Sequence, residues 1–351
     1  MKTLYDISWK VTEPEYRADP ALSQSTLSKY ERDGFSSLDT LFEHISTPSL
    51  VFGSMVDELI TGDRNSFDKR FLVAEFPKLE TMEETAVNAL IAQYGDKHKT
   101  MNSLQESDIV PVLDSCGFYT RWGTEKRISK ITKNACKDFY RLSCAYSDKQ
   151  IVSQADYDDA EACACALHEA PGTSVYFDKD TENVKRYYQL KFKGTIDGIE
   201  YRGMLDLVIV DYSRKTVIPC DLKTTSSFEY EFYHSVLHWR YDIQARLYWR
   251  LLRMAMDSDD YFKDFKLAPF RFICINRRKR QPLVWEFPII DYEEEIELGY
   301  KSLRTPWTIG KELSEYLKTH PSVPAGIKTI GLNQLADFFR CSNGHEVDES
   351  R

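Results

Sequence analysis

Asp206 stands inside Met204-Leu-Asp-Leu-Val-Ile-Val210, an otherwise apolar run. Burying an ionised carboxylate there is costly unless it is paired or bound to a cation. Further along, Ile218-Pro-Cys-Asp-Leu-Lys-Thr224 supplies Asp221 and Lys223. The two-residue period of a strand puts both side chains on one face and turns Leu222 towards the core. A hairpin joining the two strands sets Asp206 beside Asp221. Two carboxylates with an adjacent ammonium make an oxygen-rich site suited to Mg²⁺. In such a site the metal polarises a phosphate and the lysine positions or activates a water. Asp-x-Lys alone is a common triplet that also describes a solvated strand end. The buried-strand aspartate before it and the helix after it give it weight. That helix carries Gln244-Ala-Arg-Leu-Tyr248, with Gln244 and Tyr248 on one face at i, i+4. They could hold substrate or water by hydrogen bonds, although an ordinary amphipathic helix can carry the same pair.

The elements that must position these groups follow from period and punctuation. Lys185–Lys193 alternates, and Asp197-Gly198 is a hairpin signal. A long strand is expected over Ile199–Val210, a polar turn over Asp211–Lys215 and another strand over Thr216–Leu222. Glu231–Met256 reads as one long helix, Phe270–Ile275 and Leu283–Ile289 as paired strands around a basic turn, and 291–318 as helix again. The first 80 residues read as short helices, one capped at Ser23 and one over Leu50–Ile60 that stops at Gly62. Residues 81–170 are polar and helical in period, closing with a helix capped by Ser153 and ended by Pro171-Gly172. The stretch from Ser342 has the composition of a frayed tail. Hairpin strands, a helix and further strands imply an α/β core in a helical envelope.

Composition bounds the rest. With 42% hydrophobic and 29% charged residues in 351, the chain is globular, of one large domain or two. No apolar run is long enough to span a membrane, and the N-terminus lacks an export signal, so a cytoplasmic location is expected. Against 55 acidic residues stand 46 basic ones, a formal charge of −9, which excludes a wholesale electrostatic grip on nucleic acid but not a local basic groove. The 8 cysteines include no Cys-x-x-Cys pair, so buried reduced thiols are expected rather than a zinc or iron–sulfur centre.

Taken in order, Gly203-x-x-Asp206, Asp221-x-Lys223 and Gln244-x-x-x-Tyr248 resemble the PD-(D/E)XK nuclease superfamily, and the last motif its RecB-like branch. Leu22-Ser-Gln-Ser-Thr-Leu27, Phe52-Gly-Ser-Met-Val-Asp57, Val152-Ser-Gln-Ala-Asp-Tyr157 and Glu182, which opens the first core strand, narrow the resemblance to phage and prophage exonucleases of the RecE type, similar to exodeoxyribonuclease VIII. It spans roughly residues 20–300. It implies a restriction-endonuclease-like mixed β-sheet core flanked by helices at 176–318. A helical part at 1–80 that contributes to the site, a helical insertion at 81–175, and a C-terminal helix and tail at 319–351 complete the expected organisation. It further implies Asp206 and Asp221 as ligands for Mg²⁺ or Mn²⁺, Lys223 as the catalytic lysine, Glu182 as a supporting acid, and Gln244 and Tyr248 as orienting groups. Asp57 stands where the family usually has a ligating histidine, and its oxygens still suit a hard cation.

The implied activity is metal-dependent hydrolysis of DNA, 5′-to-3′ from the ends of linear duplex. The implied partner is a single-strand annealing protein that receives the 3′ overhang for recombination, and a ring-shaped homo-oligomer is the implied assembly. A RecB-like repair nuclease and a catalytically inactive DNA-binding protein of the same fold are the alternatives. For holding DNA, Arg277, Arg278, Lys279 and Arg280, with Arg271 nearby, form the densest basic run, and Lys126, Arg127, Lys130 and Lys133 a second.

Overall fold

The computed structural model describes residues 2–42, 47–62, 64–288, 294–297 and 302–319. In chain order the helices and strands are α1 (Glu13–Ala18), β1 (Leu22–Ser23), α2 (Gln24–Asp33), α3 (Pro48–Thr61), α4 (Arg64–Arg70), β2 (Phe71–Val73), α5 (Thr81–Tyr94), α6 (Glu106–Ser115), α7 (Thr124–Ile131), α8 (Asn134–Ala145), β3 (Gln150–Val152), α9 (Gln154–Glu169) and α10 (Ser174–Phe177). There follow β4 (Val184–Ile196), β5 (Ile199–Asp211), β6 (Thr216–Thr225), α11 (Phe232–Trp239), α12 (Tyr241–Asp257), β7 (Lys266–Leu267), β8 (Phe270–Asn276), β9 (Pro282–Phe287), β10 (Ile296–Glu297), β11 (Ser302–Leu303) and α13 (Pro306–Thr319). They fall into two compact units, Met1–Ile45 with Ala166–Arg351, and Ser46–Cys165.

The first unit is a mixed α/β fold built on a seven-stranded sheet, with strands in the order β1-β5-β6-β8-β9, β4 paired to β5 and β7 to β6. The β4–β5 hairpin turns at Asp197 and Gly198, both at positive φ (51° and 77°), as a two-residue turn of the primed type requires. On one edge β5 pairs antiparallel with β4 over nearly its whole length. On its other edge Tyr201 and Arg202 pair with β1, and Leu207–Asp211 pair with β6. Residues 203–206 thus lie in a gap between two partners, and the gap ends at Asp206.

The alternation of β5 slips at that point. Tyr201 and Leu205, then Val208 and Val210, all belong to the core cluster that includes Ile243, Leu247 and Leu251 of α12. The facing strand slips too, from Phe192 and Leu190 to Tyr187, with Gln189 between them at a φ of 52°. A side-chain-bearing residue at that φ is uncommon and marks local distortion.

The expected helix over Glu231–Met256 is two helices. Arg240 adopts the left-handed conformation (φ 55°, ψ 51°), closing α11 and opening α12. Its guanidinium is buried and donates to Asp242, to Glu31 Oε1 at 2.5 Å and to the carbonyl of Arg304. Helix was also expected throughout 291–318. Instead, among the described residues, Ile296–Glu297 pairs with Ser302–Leu303 before α13 begins at Pro306. Proline's fixed φ favours that first helical position. Of the expected C-terminal helix and tail (319–351), residues 320–351 lie outside the described residues.

The second unit is mostly helical, with β2 and β3 paired in parallel. Its core gathers Ala86, Val87 and Leu90 of α5 with Val112 and Leu113 of α6, Ile131 of α7, and Cys136 and Tyr140 of α8. Lys130 and Lys133 both pair with Glu83, which is fully buried at 0% exposure. Arg127 is itself buried, bonded to Asp114 and to the Phe118 carbonyl. Lys126 lies over the Trp122 ring at 4.1 Å. Most of the second basic run is therefore paired within this unit. Among the described residues no helix is long and apolar enough to cross a membrane.

Candidate active site

The β5–β6 ladder ends at Leu207↔Cys220, and its register carries on to place Asp206 opposite Asp221. There the strands part, and Asp206 Oδ2 accepts the Leu222 N–H at 3.0 Å. The carboxylate takes the place of a backbone carbonyl in the ladder, which fixes its position relative to β6. On the other side of β6 the parallel pairing with β8 sets Asp221 beside Phe272 and Lys223 beside Cys274.

Asp221 is the hub. It is 2% exposed, yet its two oxygens are both engaged: Gln244 Nε2 donates to Oδ1 at 2.5 Å, and Lys223 Nζ pairs with Oδ2 at 2.6 Å. A buried carboxylate needs such partners, and charge-assisted bonds are the strong kind. Leu222, expected in the core, is only half-buried; the α12 side of the sheet is taken by Asp221 and Lys223. Lys223 lies over the Tyr241 ring at 4.8 Å, and burial raises that phenol's pKa. Burial by itself would lower the Lys223 ammonium, but the charge of Asp221, with Tyr241 and Asp206, outweighs it and raises the group. Lys223 therefore remains a cation.

Tyr248 follows Gln244 by one turn of α12 and is 7% exposed. Burial, reinforced by Tyr16 and by Asp221 and Asp206, pushes its phenol well above the usual tyrosine range. The glycine of Gly203-x-x-Asp206 has a steric reason: a Cβ at 203 would lie 2.7 Å from Tyr248 Cδ1. Among the described residues the buried Oε1 of Gln244 has no hydrogen-bonding partner. A buried acceptor without a donor costs free energy, and at the mouth of a carboxylate site it suits a water or a substrate hydroxyl.

The structure thus brings together Asp206, Asp221, Lys223, Gln244 and Tyr248. Glu182 is not brought to them. It is exposed in a bend before β4, and Val184 pairs with Asp211, five positions beyond Asp206 on β5. At strand rise that separation is about 17 Å. The register, which the sequence does not display, puts Glu182 at the wrong end of its strand. The ladder skips Gln189 and Asp206 between the pairs Tyr188↔Leu207 and Leu190↔Leu205, and Gln189, unremarked in the sequence, stands out by its φ. Asp57 is half-buried on α3 in the second unit, where its carbonyl accepts the Thr61 hydroxyl at 2.7 Å. The run Arg277–Arg280 forms the turn between β8 and β9, as expected, with Arg278, Lys279 and Arg280 exposed. Arg271 instead bonds Glu286 and the Tyr176 hydroxyl.

Among the described residues no group of three or more His, Cys, Asp and Glu side chains has the geometry of a metal centre. Asp206 and Asp221 form a smaller donor set of hard oxygens. Mg²⁺ fits such a set, because it commonly takes one or two carboxylates and fills its octahedron with water and substrate phosphate.

No protein-family model matches the chain, and no match was found among curated proteins. Among solved structures the chain is similar to one from Eubacterium rectale described as "Putative exonuclease", at 13% identity over 93% of this chain and 98% of that one, with a TM-score of 0.43. A likeness of that degree decides neither fold nor activity, and the chemistry rests on the geometry of the site itself.

Proposed function

We propose that the protein is a metal-dependent exodeoxyribonuclease that digests linear double-stranded DNA from its ends, 5′-to-3′, leaving 3′ overhangs for recombination. The single observation that carries this reading is the placement of Asp221, bonded to Lys223 and Gln244, opposite Asp206 at the point where β5 and β6 part. Resemblance to RecE-type phage exonucleases supplies the polarity, a ring-shaped homo-oligomer, a single-strand annealing protein as partner and a cytoplasmic setting in the bacterial host.

In the reaction a water oxygen bonds to phosphorus, the P–O3′ bond breaks, and the departing 3′-oxygen takes a proton. The products are a 5′-phosphate and a 3′-hydroxyl. Asp206 and Asp221 would hold Mg²⁺ or Mn²⁺, which when bound supplies Lewis-acid charge and a more acidic water. Lys223 donates hydrogen bonds to a non-bridging phosphate oxygen and offsets the negative charge that grows there. Gln244 fixes Asp221 with its N–H and offers its unpaired oxygen to the attacking water. Tyr248 donates from a phenol that stays protonated.

End-labelled linear duplex and a covalently closed circle, each incubated with Mg²⁺ or with EDTA, test the reading. Loss of the linear substrate alone, and only with Mg²⁺, is expected. Cutting of the circle, or degradation that persists in EDTA, would refute it.

A further inference from the structure

Two features outside the cluster around Asp221 meet at one buried amide. β6 and β8 run parallel, so their C-terminal ends share an edge of the sheet, and the last register pair is Thr225↔Asn276. Asn276 is 8% exposed. Its Nδ2 donates to the Ser227 carbonyl at 2.8 Å, and its Oδ1 accepts the backbone N–H groups of Arg278 and Lys279, each at 2.9 Å. The Arg277 N–H donates to the Thr225 carbonyl at 3.1 Å. The segment leaving β6 is thereby tied to the basic turn leaving β8.

That segment carries rings in water. Phe228 is 44% and Tyr230 71% exposed, and their planes are parallel within 2° at a centroid separation of 5.7 Å. Exposed aromatic faces set side by side in this way are characteristic of binding surfaces. Glu229 and Glu231 share the ring segment, and the turn tied to it through Asn276 carries Arg278, Lys279 and Arg280, all exposed. Lys223 lies two residues before Thr225 on β6, about 7 Å along the strand.

We propose that Phe228, Tyr230 and the turn Arg277–Arg280 form a seat for an unpaired DNA strand, the rings stacking on bases and the turn pairing with phosphates. An unpaired strand is the occupant because ring faces are satisfied by base faces, which a duplex keeps covered by its own stacking, whereas a basic turn alone serves either form. The turn supplies the complementary charge that an apolar protein partner would not need. The seat rests on the nuclease reading for the route of the strand. It adds that the strand passing Lys223 is separated from its complement where it meets β6.

The test measures equilibrium binding in EDTA, so that hydrolysis does not intervene, using a fluorescent single-stranded oligonucleotide and an abasic strand of the same length and charge. Phe228→Ala with Tyr230→Ala is expected to weaken binding of the base-bearing strand about tenfold or more and to leave the abasic strand unchanged. Arg278→Ala with Lys279→Ala is expected to weaken both strands and to flatten the salt dependence. Circular dichroism confirms that each variant is folded. An equal loss on both strands from the ring variant, or no loss on either, overturns the seat. Unchanged affinity together with a shift in sedimentation overturns it as well, because the rings would then contact a second copy of the chain. Wild-type protein that binds the base-bearing strand but degrades no DNA in Mg²⁺ refutes the nuclease reading and leaves the seat standing. Ring variants that bind like a wild type that does degrade DNA refute the seat alone.

Discussion

Gly203 and Tyr248 are in steric register: the ring occupies the space that any side chain at 203 would need, with Cδ1 2.7 Å from a Cβ built there. Gly203→Ala must therefore move either the ring or β5. Overpacking of this kind costs about 1–3 kcal/mol. The expected outcome is a lower denaturant midpoint and reduced activity, with Gly203→Ala, Tyr248→Ala recovering part of the stability lost by the alanine at 203. Full stability and activity in Gly203→Ala would show that the close approach has no consequence.

Lys223→Ala removes the ammonium and leaves Asp221 its bond to Gln244. Mg²⁺-dependent degradation is expected to fall at least a thousandfold, about 4 kcal/mol of transition-state stabilisation. Folding and Ca²⁺-supported DNA binding should remain near wild type. Undiminished degradation by this variant removes the proposed site.

Asp57 is tested by metal titration rather than by rate alone. As a ligand, Asp57→Ala should require a higher Mg²⁺ concentration for half-maximal activity, and Asp57→His should retain part of the wild-type response. Superimposable titrations for wild type and Asp57→Ala would exclude Asp57 from the ligand set.

The second unit should lose stability in acid through Glu83. Burial would raise this carboxyl, but hydrogen bonds from Lys133 and Lys130 prevail and hold it at about 2, against an ordinary 4.5. The folded pKa lies below the unfolded one, so the contribution is complete above pH 4.5 and fades as pH falls towards 2. The protection factors of the α5 amides in the full chain, followed from pH 5 to about 2, should fall more steeply in wild type than in Glu83→Gln. Parallel profiles would show that the Glu83 pairs do not tie pH to local stability. At neutral pH, Glu83→Ala is expected to cost about 2 kcal/mol, since it leaves a buried gap and takes from Lys133 its carboxylate partner.

The cluster around Asp221 was legible because its spacing obeys local rules. Asp221 and Lys223 share a face by strand period, Gln244 and Tyr248 by helix period, and the short Asp211–Lys215 turn brings Asp206 opposite Asp221. The features that escaped depend on longer-range relationships. Glu182 was misplaced because register decides which end of β4 approaches Asp206. The break at Arg240 has no turn residue to announce it; the left-handed backbone is held by Asp242, Glu31 and the Arg304 carbonyl, contributed from three separate segments. The pairing of the basic run at Lys126–Lys133 escaped because Glu83, Glu80 and Asp114, which neutralise most of it, lie at other places in the sequence.

Arg240 also links the start of α12 to a remote part of the chain. A left-handed backbone costs a residue with a side chain about 1–2 kcal/mol, and Glu31 offsets that cost while also receiving Arg304, whose other guanidinium nitrogen holds Glu312 of α13. Gln244 sits one turn beyond this knot. The same knot therefore joins the start of the helix that presents this amide to α13, so a weakened anchor at Glu312 is expected to loosen the amide's approach to Asp221 before the chain unfolds.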